Sequence, residues 1–278
     1  MEAFKEVLQA LEAGEEIDMW GSVMLLAKHR YPDLDEQKYV DILDEWGEAI
    51  ELRLKGRERY PMVVLKTVSA FLYKELGFTG NKLDYYHPDN SCLNRVIETR
   101  TGIPITMSLV FMELARRVGL SMHGVNLPSH FLLRPDSDEL AVFVDAYDDG
   151  QIIFLEDAEE MLGKSWGVDV KLDPVWIERN EALPPMRVLT RVLFNLKNVY
   201  SLNQKPAELL TIIKYIREAL PDNTSEVRNE GMCLFALERY VESIDALVEY
   251  LDSAPEAEDA DEVRQVIREA QSLVNKGA

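Results

Sequence analysis

Three side chains in this sequence are of the types that acyl-transfer chemistry uses: a thiol, an imidazole and a carboxylate. Cys92 stands in DNSCLN, His130 in PSHFLLR and Asp145 in FVDAYDDG. A carboxylate bonded to one imidazole nitrogen fixes the tautomer and leaves the other nitrogen to take a proton from a nucleophile. A thiol paired with such a histidine reacts as thiolate near neutral pH. The same residues also have plain readings. A His–Asp pair among β-formers serves as a hydrogen-bonded cross-link between two strands, and a free cysteine in an apolar helix is a small core residue. Thr106 and Ser108 add hydroxyls inside a helix, where they satisfy a backbone carbonyl rather than attack a substrate.

A second group lies upstream, in GFTGNKLDYYHPDN and the short helix after it. Tyr85, Tyr86 and His87, with Asn90, Ser91 and Asn94, could line a cleft mouth and recognise a peptide or polar ligand, since tyrosine buries area at little entropic cost. Equally, the tyrosines can pin the loop and the asparagines can cap helices. His29 and His123 have no partner pattern, no C-x-x-C occurs, and Asp148-Asp149 and the acidic run 255–261 read as solvated faces. Neither a metal nor another cofactor is expected.

Several elements must hold these groups in place. Apolar residues from Ile105 to Val118 predict a buried helix that starts at Pro104 and stops at Gly119, with Arg116 and Arg117 suiting its C-terminus. Four short β candidates follow, MHGVNL, HFLLR, AVFVDAY and QIIFL, and predict a small antiparallel sheet. Upstream, the spacing of apolar residues predicts helices through residue 60 and another from Pro61 to Leu76, together forming a packing layer. Asn90 or Ser91 can cap the helix Cys92–Thr99. Downstream of short helices and loops around 156–176, Pro184-Pro185 marks a boundary. The expected domains are 1–183, with a core at about 71–160, and 184–278.

Beyond that boundary, apolar stripes such as Leu189-Val192-Leu193-Leu196-Tyr200 recur on helix after helix. Pro221 and Pro255 lie 34 residues apart, the tetratricopeptide period. FALERYVESIDALVEYLDSAP matches the second half of such a repeat, and stacked helix pairs of this kind bind protein segments.

Residues 71–150 closely resemble the transglutaminase-like core of the SirB-type bacterial family, whose members carry a C-terminal TPR-like region. FLYKELGFTGNKLDYYHPDNSCLN, RTGIPITMSLVFMELARRVGL, LPSHFLLR and FVDAYDDG carry the likeness. A related module occurs in a eukaryotic F-box adaptor. The resemblance implies an α+β fold, helix dominant: an N-terminal helical layer, a degenerate transglutaminase/papain-like core with a small antiparallel sheet, and C-terminal TPR-like helices. Active members of the superfamily place a cysteine at the N-terminus of the core helix, and here that position is Pro104. His130 and Asp145 match the other two members of the triad. The expected function is a non-catalytic protein-interaction or regulatory role. The alternative is a cysteine-dependent amide hydrolase or acyltransferase using Cys92, His130 and Asp145.

The chain has 278 residues, 47% hydrophobic and 29% charged, with a net charge of −20. Such a charge repels phosphate backbones and anionic lipid surfaces, so neither nucleic acid nor membrane is expected as a partner. Two distant cysteines make no disulfide framework, and no basic leader opens the sequence, which predicts a soluble cytoplasmic protein.

Overall fold

The computed structural model describes residues 1–127, 130–137, 140, 142–167, 171 and 183–277. It divides into two compact units, one of Ile17–Val192 and one of Met1–Glu16 with Leu193–Ala278. Helix α1 (Glu2–Glu12) therefore clusters with the C-terminal helices, whereas the sequence expectation kept it with the core. Its stripe explains why: Phe4 packs edge-on against Tyr215 at 5.0 Å, and Lys5 pairs with Glu218 at 3.1 Å.

The larger unit begins with α2 (Met19–Ala27) and α3 (Glu36–Leu54), which is opened by Asp35 accepting from the Gln37 amide at 3.1 Å. Tyr39, Leu43, Gly47, Ile50 and Leu54 recur every three or four residues and form the buried face of α3. Helix α4 (Pro61–Ser69) starts on a proline whose missing N–H costs nothing there. The sequence predicts that it runs on to Leu76, but residues Ala70–Glu75 widen into a π-helical turn. Ser69 Oγ there donates to the Gly150 carbonyl at 3.1 Å and Tyr73 OH to the Ala146 carbonyl at 2.7 Å.

Next come the two-residue strand β1 (Thr79–Gly80), a 3₁₀ turn (Pro88–Ser91), α5 (Leu93–Thr99) and β2 (Thr101–Gly102). Strand β2 pairs in parallel with β1, a contact too short for any sequence period to announce. The core helix α6 (Pro104–Arg117) is buried on nearly every side, from Ile105 through Val110 to Ala115. A helix apolar all round belongs inside, and each fully covered Leu, Val or Phe contributes about 1.5–3 kcal/mol.

The four expected strands form one antiparallel sheet in sequential order: β3 (Met122–Leu127), β4 (His130–Pro135), β5 (Val142–Asp145) and β6 (Gln151–Phe154). Val125 opposes Leu132 and Phe143 opposes Ile153, and these four pack with Ala158 of α7 (Leu155–Trp166). Of the segment expected to hold short helices and loops, residues 168–170 and 172–176 lie outside the described residues.

Helix α8 (Pro185–Leu202) leads into α9 (Pro206–Ala219), α10 (Thr224–Ala236), α11 (Tyr240–Ser253) and α12 (Ala260–Gly277). Leu210, Ile213, Cys233, Leu234 and Ala246 make one core layer, and Val227, Leu247, Tyr250, Val263 and Ile267 the next. Gly231 lets α10 and α11 approach: a Cβ there would lie 2.6 Å from Leu247, and Ser243 Oγ donates to its carbonyl at 2.8 Å. Among the described residues no helix is long and apolar enough to cross a membrane.

Gly150 closes the β5–β6 turn at φ +65°, and a Cβ on it would meet Tyr73 at 2.3 Å and Ser69 Oγ at 2.7 Å. Gly150→Ala combines a disfavoured φ with a clash against a hydrogen-bonded tyrosine, and should cost about 2 kcal/mol. Thermal unfolding would show a fall of several degrees in Tm; an unchanged Tm would mean that the turn relaxes freely.

Candidate functional site

The loop between β1 and α5 is built around Asn90. Its side-chain Nδ2 donates to the carbonyls of Asp84 at 2.7 Å and Tyr85 at 3.1 Å, and its Oδ1 accepts from Asn81 Nδ2 at 3.0 Å. The Asn90 carbonyl accepts from Thr106 Oγ1 at 2.6 Å, and the same hydroxyl accepts from the Ile103 amide at 3.1 Å. One asparagine thus fastens the loop to the start of α6. The expected capping role falls elsewhere: Cys92 is the N-cap of α5, without a side-chain bond.

The sequence-predicted binding group therefore splits. Asn90, Ser91 and Asn94 are buried, at 3%, 2% and 3% exposure, while Tyr85 and Tyr86 reach solvent at 37% and 54%. His87 is half-buried, and its Nδ1 accepts from the Asp89 amide at 3.2 Å. Tyr85 lies edge-on between Tyr86, at 5.2 Å and 76°, and Tyr147, at 6.2 Å and 82°. Tyr147 is anchored in turn, its hydroxyl donating to the Asn81 carbonyl at 3.1 Å. Burial pushes the Tyr85 phenol above its ordinary value, against the opposing pull of the Arg191 charge.

At the core helix, Pro104 is the first residue of α6 and supplies no nucleophile. Cys92 is completely buried, and its Sγ faces the Pro88 carbonyl at 3.7 Å. Burial, followed by the nearby Asp89 charge, pushes this thiol up to about 12. A cysteine activated by histidine shifts the opposite way. Thr106 satisfies a backbone carbonyl as expected, but Ser108 does not: its Oγ, like Ser91 Oγ and Asn94 Oδ1, is buried with no hydrogen-bond partner among the described residues. Each such atom costs about 1–3 kcal/mol.

Asp145 ends β5, and its Oδ1 accepts from the amides of Tyr147 at 2.9 Å and Asp148 at 3.1 Å. Those bonds tighten the turn after the strand. His130 opens β4 opposite Leu127, and Leu133 of the same strand opposes Val144. The His130 side chain, and with it the expected His130–Asp145 contact, lies outside the described residues. His123 sits opposite Arg134; burial, then that cation, lowers its pKa, and its Nε2 is buried without a hydrogen-bond partner among the described residues. Among the described residues no group of His, Cys, Asp or Glu could hold a metal ion.

Sequence reasoning overlooked Asp89. Its Oδ1 accepts from Arg30 Nε at 2.9 Å and Tyr31 OH at 2.6 Å, and its Oδ2 from Arg95 Nε at 3.3 Å. Burial raises this carboxyl, but the bonds from Tyr31 and Arg30 outweigh it and hold it below its ordinary value. Asn81 was overlooked too, although two asparagines bracketing a pair of tyrosines in a turn-rich segment are a usable signal. A groove along α3, lined by Asp44, Glu48, Glu51, Lys55, Arg59 and Arg117, holds none of the expected site residues. Its two arginines are engaged by its own acids, Arg117 with Asp44 and Arg59 with Glu51.

Comparison with known proteins follows the same division. The family described as Transglutaminase-like superfamily matches residues 37–194, and a tetratricopeptide repeat family matches 196–268. A UPF0162 protein of Xylella fastidiosa is 28% identical over 250 residues, covering 90% of this chain and 89% of that one. A UPF0162 protein of Haemophilus influenzae is 24% identical, over 73% of this chain and 75% of its own. Mouse F-box only protein 21 is 38% identical over 109 residues, 36% of this chain and 17% of that protein. No solved structure matches.

Two measurements check this geometry. Iodoacetamide should label Cys92 of the native protein slowly at pH 7, at a rate unaltered by His130→Ala; fast labelling lost in that variant would reveal a thiolate–imidazolium pair. Asp89→Asn should destabilise the protein at pH 7 by about 1–3 kcal/mol. Because the folded carboxyl titrates below its unfolded value of about 3.9, the wild-type advantage is complete above that pH and is lost as pH falls through the folded pKa. A Tm difference that stayed constant from pH 7 to pH 2 would rule out the charge as its source.

Proposed function

We propose that this chain, which belongs to the transglutaminase-like superfamily, is a non-catalytic protein-interaction or regulatory protein whose TPR-like helices hold a protein segment. The observation that carries the reading is the missing nucleophile. Helix α6 begins on Pro104, and Cys92 is sealed in the core with its thiol pushed up to about 12. Under this reading His130 and Asp145 act as a cross-link between β4 and β5. The competing amide hydrolase or acyltransferase would need Cys92 to leave the core and lose protons far more readily. The finer likeness to SirB-type proteins and a cytoplasmic location belong to the same reading, since both cysteines are free and buried.

The helical repeat region supports the binding half of the proposal. Val241, Asp245, Val248 and Asp252 follow one another at four- and three-residue steps on α11, and all four are exposed. They form a stripe that alternates apolar and acidic side chains along one helix face. Its complement is a basic amphipathic helix, with aliphatic groups over the valines and lysine or arginine over the aspartates. Neighbouring acids are already engaged, Glu242 by Arg239 and Glu249 by Arg217, which leaves Asp245 and Asp252 for a partner.

In full-length protein, Val241→Asp with Val248→Asp should abolish retention of a basic amphipathic partner while Tm stays within about a degree, as surface substitutions rarely exceed ±0.5 kcal/mol. Retention unchanged by the double variant, or a retained segment that is acidic, would count against this assignment.

A further inference from the structure

The loop that carries Tyr85 and Tyr86 is more ordered, and more apolar at its tip, than a connection between two short elements requires. Leu83 is fully exposed, at 101%, and Tyr86, three residues on, is exposed as well. Neither is loose. The Asp84 amide donates to Asn81 Oδ1 at 2.9 Å, Asn90 Nδ2 holds the carbonyls of Asp84 and Tyr85, and the Asn81 amide donates to the Gly102 carbonyl at 2.9 Å. An exposed leucine and tyrosine on a loop pinned by buried amides are already in position, so binding through them costs little ordering entropy.

The rings also have a definite arrangement. Tyr86, Tyr85 and Tyr147 succeed one another nearly at right angles, with centroids 5.2 and 6.2 Å apart. Perpendicular neighbouring rings leave notches between a face and an edge, and a flat apolar ring fits such a notch. Prolines of a left-handed polyproline helix present such rings on a backbone with no internal hydrogen bonds, whose carbonyls remain free to accept from phenols. A phenol is protonated at neutral pH and able to donate.

Charge selects the flank of the ligand. Lys82 is engaged by Asp148 at 2.9 Å, and Arg30 and Arg95 are engaged by Asp89. The Asp84 carboxylate, in the loop itself, has no cation partner among the described residues. A second copy of a chain carrying −20 is disfavoured on the same ground. We propose that Leu83, Tyr85, Tyr86 and Tyr147 form a docking surface for a proline-rich segment in the polyproline II conformation, with an arginine or lysine of that segment paired to Asp84. This inference goes beyond the proposed function, which places binding on the TPR-like helices, and is independent of the stripe on α11, so failure of either leaves the other standing.

The test uses the full chain and a capped peptide of pattern Arg-Pro-Ala-Pro-Pro-Ala-Pro, followed by calorimetry and by chemical shifts of the loop amides. Saturable binding should weaken about tenfold, or 1.4 kcal/mol, for Tyr86→Ala and for a peptide with alanine in place of proline. Tyr86→Phe, which keeps the ring, should retain most of the affinity. Asp84→Asn should erase the preference for the arginine peptide over its glutamate counterpart. Both tyrosine variants must match the wild-type Tm. The proposal is overturned by absence of saturation at millimolar peptide, by equal binding of the alanine peptide, or by indifference to Tyr86→Ala. Concentration-dependent self-association lost in Tyr86→Ala would also overturn it, by assigning the surface to a second copy of the chain.

Discussion

Burying an amide side chain is costly unless each of its polar atoms finds a partner, and at Asn90 that condition is met. Two donor bonds to loop carbonyls, one accepted bond from Asn81 and a carbonyl held by Thr106 make this residue the junction between the loop and the core helix. Thr106 reaches it because Pro104 starts α6 two residues earlier and sets the hydroxyl on the first turn. Pro104 thus starts the helix, and Thr106 on its first turn holds the loop.

The rest of the larger unit follows from the same economy. Helix α6 is apolar nearly all round, and its one buried carboxylate, Glu113, is held by Arg116 at 2.8 Å and Arg117 at 3.0 Å. Arg100 ends α5 at φ 60° and lies over both Trp46 and Phe78, 4.8 and 5.4 Å from their ring centroids. Its cation is thus covered by aromatic faces, which tolerate it. Ser91, Asn94 and Ser108 depart from this pattern, their buried polar atoms lacking partners beside otherwise satisfied neighbours.

The helical repeat unit owes its order to different residues. Close contact between α10 and α11 depends on Gly231, while Glu226, almost wholly buried, is held by Lys197 at 2.5 Å and by Asn229 at 3.2 Å. Burying a carboxylate requires such a cation, so Lys197 and Glu226 act as one unit. The stripes on these helices leave the Val241–Asp252 face of α11 in solvent.

The amino-acid sequence by itself determined the main helices, the four strands of the larger sheet and their order. Proline starts at Pro61 and Pro104, the apolar run through α6, the period-two segments at β3 to β6 and the 34-residue spacing are local patterns, readable without tertiary contacts. Their chemistry was legible as well: a proline at residue 104 cannot attack a substrate in any fold. What only the tertiary structure decided were contacts between distant segments. Packing sealed Cys92, turned Asn90 inward instead of onto a helix cap, and drew Asp89 to Arg30 and Tyr31 about sixty residues upstream. It also paired β1 with β2 and grouped α1 with the C-terminal helices. Periodicity reports which face of an element is buried; which partner covers that face is settled by shape and hydrogen-bond satisfaction across the whole chain.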